Sequence, residues 1–315
     1  MDTLTDVLTH IRSSGALLGR TLANPPWSAV FAERASLTLV TMLRGEAWIL
    51  DSGETHRLEP HAVAVVVGPG SFSVTSDPET SPAPLYIQAE AGICLDAAGN
   101  PAESITLGTR TCGTQLDADD VMLTGFFTAA GRVADRLLSA LPRVLVVPRA
   151  AQRTAALELL EAEVLREEPG QQAVLDRLLD LALVGALRDW FALPGSRPPG
   201  WYRASSDPVV GAALAAIHET PQVPWTVEGL ARQAHVSRAT LARRFTELLG
   251  EPPMSYLTSW RLCLAADLLE RSDTTVESVA HQVGYSSAYA LSTAFHREYS
   301  LRPSRYRRAP APASR

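Results

Sequence analysis

From about Leu37 to Val74 the chain is a series of short apolar runs, SLTLVTML, AWIL, AVAVVV and FSVT, set apart by turn-forming residues at Arg44-Gly45-Glu46, Asp51-Ser52-Gly53-Glu54, Glu59-Pro60 and Gly68-Pro69-Gly70. Closely spaced strands with Gly and Pro between them predict an antiparallel barrel or sandwich. After Ala151 the period changes. Leu157, Leu160 and Val164, then Leu175, Leu178, Leu179, Leu183 and Leu187, recur at helical spacing with Arg and Glu between them, and Pro169-Gly170 divides the two sets. Two amphipathic helices joined by a tight turn are expected. Their leucine stripes exceed what packing on a small barrel requires, so this segment is expected to hold a homodimer, with Leu178 and Leu183 at its interface. The run from Leu193 to Gly200, rich in Pro and Gly, cannot continue a helix and reads as a linker. From Asp207 the pattern is helical nearly to the end.

The last hundred residues repeat. TVEGLARQAHVS begins at Thr226 and TVESVAHQVGYS at Thr275, an offset of 49 residues, and each is followed by a second helical segment starting at Ser237 or Ser287. Two tandem helix-turn-helix units are the simplest reading. Thr226, and Thr274 or Thr275, can cap the first helices, with Glu228 and Glu277 in the first turn where the helix dipole favours an anion. Ala231 and Ala280 are small where two helices approach. Ser237 and Ser287 can cap the second helices, and Gly250 offers a stop. Leu241, Phe245 and Leu248 form one stripe of the helix after Ser237. Arg243 points away from it, with Ala239 and Thr246 alongside. That is the face a recognition helix puts into a major groove.

Across 315 residues, 46% apolar and 20% charged side chains exclude a disordered or collagen-like chain. The net charge of −6 hides an asymmetry: Ser205 to Arg315 carries 12 arginines against ten acidic residues, and the remainder is acidic. The N-terminal stretch has no basic region followed by an apolar one, and no apolar run approaches the ~18 residues of a membrane span. A cytoplasmic protein, neither exported nor membrane-bound, is the expectation. Cys94, Cys112 and Cys263 are too irregularly spaced for a disulfide framework or a zinc pattern. His56 and His61 with Glu54 or Glu59 do not reproduce a metal cluster, so no metal, cofactor or catalytic set is expected. Cys263 lies between leucines and reads as packing. For Cys112, with Cys94, a buried structural thiol and a reactive sensor both remain open. Trp27, Trp48, Phe72 and Tyr86 read as core or as a pocket lining.

Residues 208–308 resemble the DNA-binding domain of AraC/XylS-type bacterial transcription regulators. The matching residues are Leu230-Ala231, Ser237, Leu241, Phe245, Gly250, Pro253, Tyr256-Leu257, Trp260-Arg261, Ala265, Leu268-Leu269, Val279-Ala280, Val283-Gly284-Tyr285, Ser287, Ala294-Phe295, Pro303 and Tyr306-Arg307. The resemblance implies a linker helix between the two units. It also implies base contacts by Ala239, Ala242 and Arg243 in the first unit and by Ala288, Tyr289, Ser292 and Thr293 in the second. Arg238, Thr246, Ser287 and Arg297 complete the candidate DNA-binding set. A long basic or polar side chain is common in this family at the place of Thr293, so the second unit is expected to read bases weakly. The N-terminal stretch GEAWILDSGETHRLEPHAVAVVVGPGSFSV is similar to the cupin-type sensory domain of such regulators, in which many relatives carry histidine where this chain has Ser73. Thr111-Cys112-Gly113 resembles a Cys-Gly signature of a subgroup with oxidant-sensing members.

The expected fold class is therefore α+β: a cupin-like sensory barrel (1–150), a helical dimerisation segment (151–193), a linker (194–207), an all-α DNA-binding domain of two helix-turn-helix units (208–308) and a disordered tail (309–315). The implied function is sequence-specific regulation of transcription in response to a small-molecule or redox signal. Double-stranded DNA, a second copy, an effector and, for an activator, RNA polymerase are the implied partners. A cupin-type enzyme with an appended nucleic-acid-binding domain is the alternative.

Overall fold

The computed structural model describes residues 11–12, 18–31, 35–79, 84–88, 93–96, 100, 102–108, 110–129, 131–166, 168–271 and 274–307; the expected tail at 309–315 lies outside them. Arg12–Ala129 and Pro142–Arg197 form one compact unit, and Ala130–Leu141 and Pro198–Arg315 the body of a second.

The first unit is built on strands β1 (Ile11–Arg12), β2 (Leu18–Ala23), β3 (Ser28–Phe31), β4 (Leu37–Arg44), β5 (Ala47–Asp51), β6 (Glu54–Leu58), β7 (Val63–Val67), β8 (Phe72–Thr75), β9 (Pro84–Gln88), β10 (Ile93–Leu95), β11 (Thr106–Gly108), β12 (Thr111–Gly113), β13 (Asp120–Ala129) and β14 (Val144–Val147). They make two sheets. One runs β11-β12-β2-β13-β4-β7-β14, with β1 also on β13, and the other β10-β9-β3-β8-β5-β6. β4 and β7 are buried on both faces, which suits their near-continuous apolar runs, whereas β5 alternates buried and half-buried residues. Between the sheets lies a core in which Phe31 stacks on Phe72 at 4.7 Å, and to which Val40, Met42, Ile49, Met122 and Phe126 also belong. Trp27 and Phe72 belong to this core, and the Trp27 indole donates to Asp120 at 2.7 Å. Trp48 is half-buried, and of Tyr86 only the backbone is described.

The outer face of the larger sheet is covered by two helices. Leu157 and Leu160 are buried on one, and Leu175, Leu179, Leu183 and Leu187 on the other. The approach is close at Gly125, where a Cβ would stand 2.5 Å from the end of the Leu179 side chain. This corrects part of the dimer expectation, because Leu183 belongs to the core; the apolar residues left exposed are Leu159, Val174 and Leu181. The cysteine reading is corrected too. Cys94 on β10 and Cys112 on β12 form a disulfide that ties one sheet to the other, with Cα atoms 5.8 Å apart. Spacing in sequence could not reveal it, because the pairing is set by how the two sheets face each other.

In chain order the helices are α1 (Arg132–Leu138), α2 (Ala156–Val164), α3 (Gln171–Ala192), α4 (Gly200–Ser205), α5 (Val210–Glu219), α6 (Val227–Gln233), α7 (Arg238–Leu249), α8 (Pro253–Arg271), α9 (Val276–Gln282), α10 (Ala288–Tyr299) and α11 (Pro303–Tyr306). α2 and α3 are the helices on the sheet. The second unit contains α4 to α11, the short α4 lying within the expected linker, and two cores share α8. Leu230, Ala231, Leu241 and Phe245 pack on its Tyr256, Leu257 and Trp260, whereas Val279, Ala280, Leu291 and Phe295 pack on its Leu262, Ala265, Ala266 and Leu269. Leu264 touches both cores.

The second unit also holds α1, although this helix lies between β13 and β14 in the chain and within the stretch 1–150 that the sequence reading kept together. Val133 is fully buried in the first of the two cores. The Arg132 backbone N–H donates to Asp267 at 2.5 Å, and the Arg132 side chain donates to the Tyr306 hydroxyl at 2.9 Å while lying over the Tyr299 ring. Arg136 donates to Ser259 at 2.5 Å, pairs with Glu251 at 3.2 Å and covers the Tyr256 ring at 4.4 Å. α1 thus reaches residues of both cores along α8. Burial, opposed by the Arg132 hydrogen bond, pushes the Tyr306 phenol up to about 12.

Candidate nucleic-acid interface

Both helix-turn-helix units are closed by the same local chemistry. The hydroxyls of Thr226 and Ser237 accept from the backbone N–H groups of Gly229 and Thr240 at 3.0 and 3.1 Å, and those of Thr275 and Ser287 accept from Ser278 and Ala290 at 3.2 Å each. Thr275, rather than Thr274, is the cap. Each such bond satisfies one of the orphan donors of a helix start and is worth ~1 kcal/mol. The turns match as well, with Val236 N–H donating to Ala231 and Tyr285 N–H to Ala280, at 3.0 and 2.8 Å.

One position separates the turns. His235 and Gly284 occupy equivalent places, both with left-handed backbone, at φ +53° and +85°. Gly284 is constrained twice, since a Cβ there would stand 2.8 Å from the Gln222 Cα and from the Arg261 side chain. Arg261 in turn donates to the carbonyls of Pro221 and Val223 at 2.7 Å each, fixing the segment between α5 and α6 to α8. Burial lowers the Arg261 pKa, as for any guanidinium taken from water.

The outward face of α7 carries Arg238, Ala239, Arg243 and Thr246 exposed and Ala242 half-buried, while Leu241 and Phe245 face the core. Arg243 is not free in this state: its guanidinium pairs with Glu247 at 2.8 Å. Glu247 is a residue the sequence reading passed over, although its i+4 spacing from Arg243 is the signal for such a pair. On α10, Tyr289 is 83% exposed, with Thr293 and Arg297 exposed and Ser287, Ala288 and Ser292 half-buried. The Thr293 hydroxyl donates to the Tyr289 carbonyl at 3.0 Å, so it is engaged within its own helix. Glu277 has two tasks, accepting from the Ala288 N–H at 3.0 Å and pairing with His281 at 3.2 Å, and so ties α9 to the start of α10. Its counterpart Glu228 pairs with Arg232 at 3.2 Å. The two outward faces thus belong to helices with the same caps and carry different chemistry.

In the N-terminal unit His56 lies 3.5 Å from Glu54, and the backbone N–H of His61 donates to Met42 in a turn. Among the described residues no three His, Cys, Asp or Glu side chains come together as a metal site, and no helix is long and apolar enough to cross a membrane.

Residues 2–192 match a family model described as cupin, and residues 230–309 one described as a helix-turn-helix domain. An AraC-like transcription regulator of Streptomyces lividans is 32% identical over 98% of this chain and 99% of its own length. One of Streptomyces antibioticus is 32% identical over 99% of this chain and 100% of its own. Among solved structures, the DNA-binding domain of the global transcriptional factor AdpA, in complex with a target DNA, is similar at 38% identity, covering 33% of this chain and 92% of that one with a TM-score of 0.31.

The equivalent turns should respond unequally to substitution. Gly284→Ala meets both left-handed strain, ~1–2 kcal/mol, and the close approach of Gln222, whereas His235→Gly removes strain at the cost of a freer unfolded chain and should change stability by under ~1 kcal/mol. Guanidinium denaturation of the two variants checks this; equal effects would contradict the geometry.

Proposed function

The chain belongs to the AraC-like transcription regulators and joins a cupin domain to a DNA-binding helix-turn-helix domain, and we propose that α7 and α10 enter the major groove of double-stranded DNA while the N-terminal unit receives a signal. The observation that carries this reading is the pair of capped helices whose outward faces take no part in either core. The relatives described above are transcription regulators and lend the enzyme alternative no support.

In the first unit, Ala239 and Ala242 leave room for close approach, and Arg238 and Thr246 flank Arg243. An exposed ion pair such as Arg243–Glu247 is worth little, so Arg243 can exchange it for two hydrogen bonds to guanine O6 and N7. In the second unit Tyr289 offers an apolar ring, and Ser287 and Thr293 spend their hydroxyls within the helix. With Ala288 and Ser292 this face reads shape and methyl groups more than base edges, and Arg297, Arg302 and Arg305 hold phosphate. The protein acts in the cytoplasm, where its DNA is, and as an activator it would engage RNA polymerase.

Three proposals concern the signal and its route. The Cys94–Cys112 pair is a redox element: hydrogen peroxide takes two electrons and two protons from the two thiols, giving the disulfide and two waters. A thiol pair of this kind in a reducing compartment is a switch more often than a staple. α1, which β13 and β14 bracket in the chain, carries the change to α8 through Arg132 and Arg136. A second copy docks along α3, where exposed Val174 and Leu181 and half-buried Leu178 form an i, i+4, i+7 stripe, with exposed Leu159 on α2.

Selection from random DNA tests the reading face. Arg243→Ala should relax preference at one or two base pairs by about 1–3 kcal/mol, and Thr293→Ala should change it little; a preference untouched by Arg243→Ala would show that another face reads DNA. Peroxide-treated and dithiothreitol-reduced protein should differ several-fold in DNA affinity. Cys112→Ser should abolish that difference, and Arg136→Ala should uncouple it while leaving the disulfide able to form. Equal affinity of oxidised and reduced wild type would end the redox proposal. By light scattering, Leu178→Asp with Leu181→Asp should give a folded monomer, and a persisting dimer would place the interface elsewhere.

A further inference from the structure

Packing is incomplete on the outer face of the larger sheet. There, between β2, β4 and β13 and the C-terminal end of α2, is a cavity of about 190 Å³. Its walls are Leu22, Leu43, Val121 and Val164, and at its edge Leu116 and Leu165 are 65% and 62% exposed. The two exposed leucines extend the leucine and valine walls of the cavity onto the surface.

Two guanidiniums, Arg20 from β2 and Arg44 from β4, line the same cavity. Arg44 donates one hydrogen bond to the Ala118 carbonyl at 2.9 Å. Arg20 is half-buried, and its Nε is shut off from solvent without a hydrogen-bond partner among the described residues. Burial, and then the neighbouring Arg44, lower the Arg20 pKa, and no carboxylate offsets them. Glu161 also lines the cavity, yet no ion pair joins it to Arg20. Leucine and valine walls beside two guanidiniums and one carboxylate are complementary to one kind of molecule. A carboxylate matches the guanidinium fork, and an apolar body covers the leucine and valine walls.

We propose that this cavity binds a small organic anion, a monocarboxylate with an apolar tail, held by Arg20 and Arg44. An apolar cavity of ~150 Å³ admits benzene, so this one holds roughly eight non-hydrogen atoms, and a longer tail continues along Leu116 and Leu165. β2 also pairs with the strand of the disulfide, Thr21 standing opposite Cys112 and Leu22 opposite Gly113. Occupancy therefore acts on a strand next to the redox pair. This last step rests on the reading of the N-terminal unit as the receiver of a signal; binding itself does not.

Calorimetry on the full chain with octanoate, octanol, octylammonium and inorganic phosphate tests the site. Octanoate should bind about tenfold or more tighter than octanol, the difference expected for a hydrogen-bonded charge, and octylammonium and phosphate should not compete. Arg20→Gln should remove that preference. Leu165→Glu, at an exposed position, should weaken octanoate and favour octylammonium with the fold intact. Equal binding of octanoate and octanol, competition by phosphate, or indifference to both substitutions would overturn the proposal. DNA affinity measured with and without octanoate separates the two readings: Arg20-dependent binding that leaves DNA affinity unchanged keeps the site and overturns its place in signalling.

Discussion

Helix α8 is buried at its first half in one core and at its second half in another, so the two helix-turn-helix units share a single rigid axis. Its 19 residues span about 28 Å at 1.5 Å per residue. Tyr256, Leu257 and Trp260 are committed to the α7 side, Leu262, Ala265, Ala266 and Leu269 to the α10 side, and Leu264 to both. Because each core is completed by α8, neither α7 nor α10 can be displaced alone without opening a packed interior. The separation of α7 and α10 is thus a property of α8, and on the proposed reading the DNA-binding half meets DNA as one reader with two unequal contacts.

Within that reader α1 has an unusual place. The chain leaves β13, buries Val133 among the residues of the first core, sets Arg136 against Tyr256, Ser259 and Glu251 and Arg132 against Asp267 and Tyr306, and then returns to β14. The bonds made by the two arginines run to both halves of α8 and to α11. In the chain this segment is continuous with two strands of the larger sheet, β13 and β14.

Local chemistry made much of this legible in the sequence. The repeat, the four caps, Gly250 and the Leu241–Phe245 stripe follow from side chains acting within four residues of themselves, and all stand where the spacing placed them. Features decided by distant partners were hidden. The seven residues of α1 show too little periodicity to announce a tertiary role. Cys94 and Cys112 meet only because two sheets face each other. The Leu175, Leu179, Leu183, Leu187 stripe looked like an interface because sequence shows an apolar face without showing what covers it, and here it covers the sheet. The left-handed His235 had no glycine to mark it, and Arg20 was an ordinary strand residue until its surroundings were known.

The measurement that bears most directly on a two-contact reader with a fixed axis is hydroxyl-radical footprinting of the full chain on a selected target. A rigid α8 predicts two protected windows on one face of the duplex, about one helical turn or 10–10.5 base pairs apart, with that spacing the same on every bound sequence. A single window, or a spacing that varies from target to target, would contradict it.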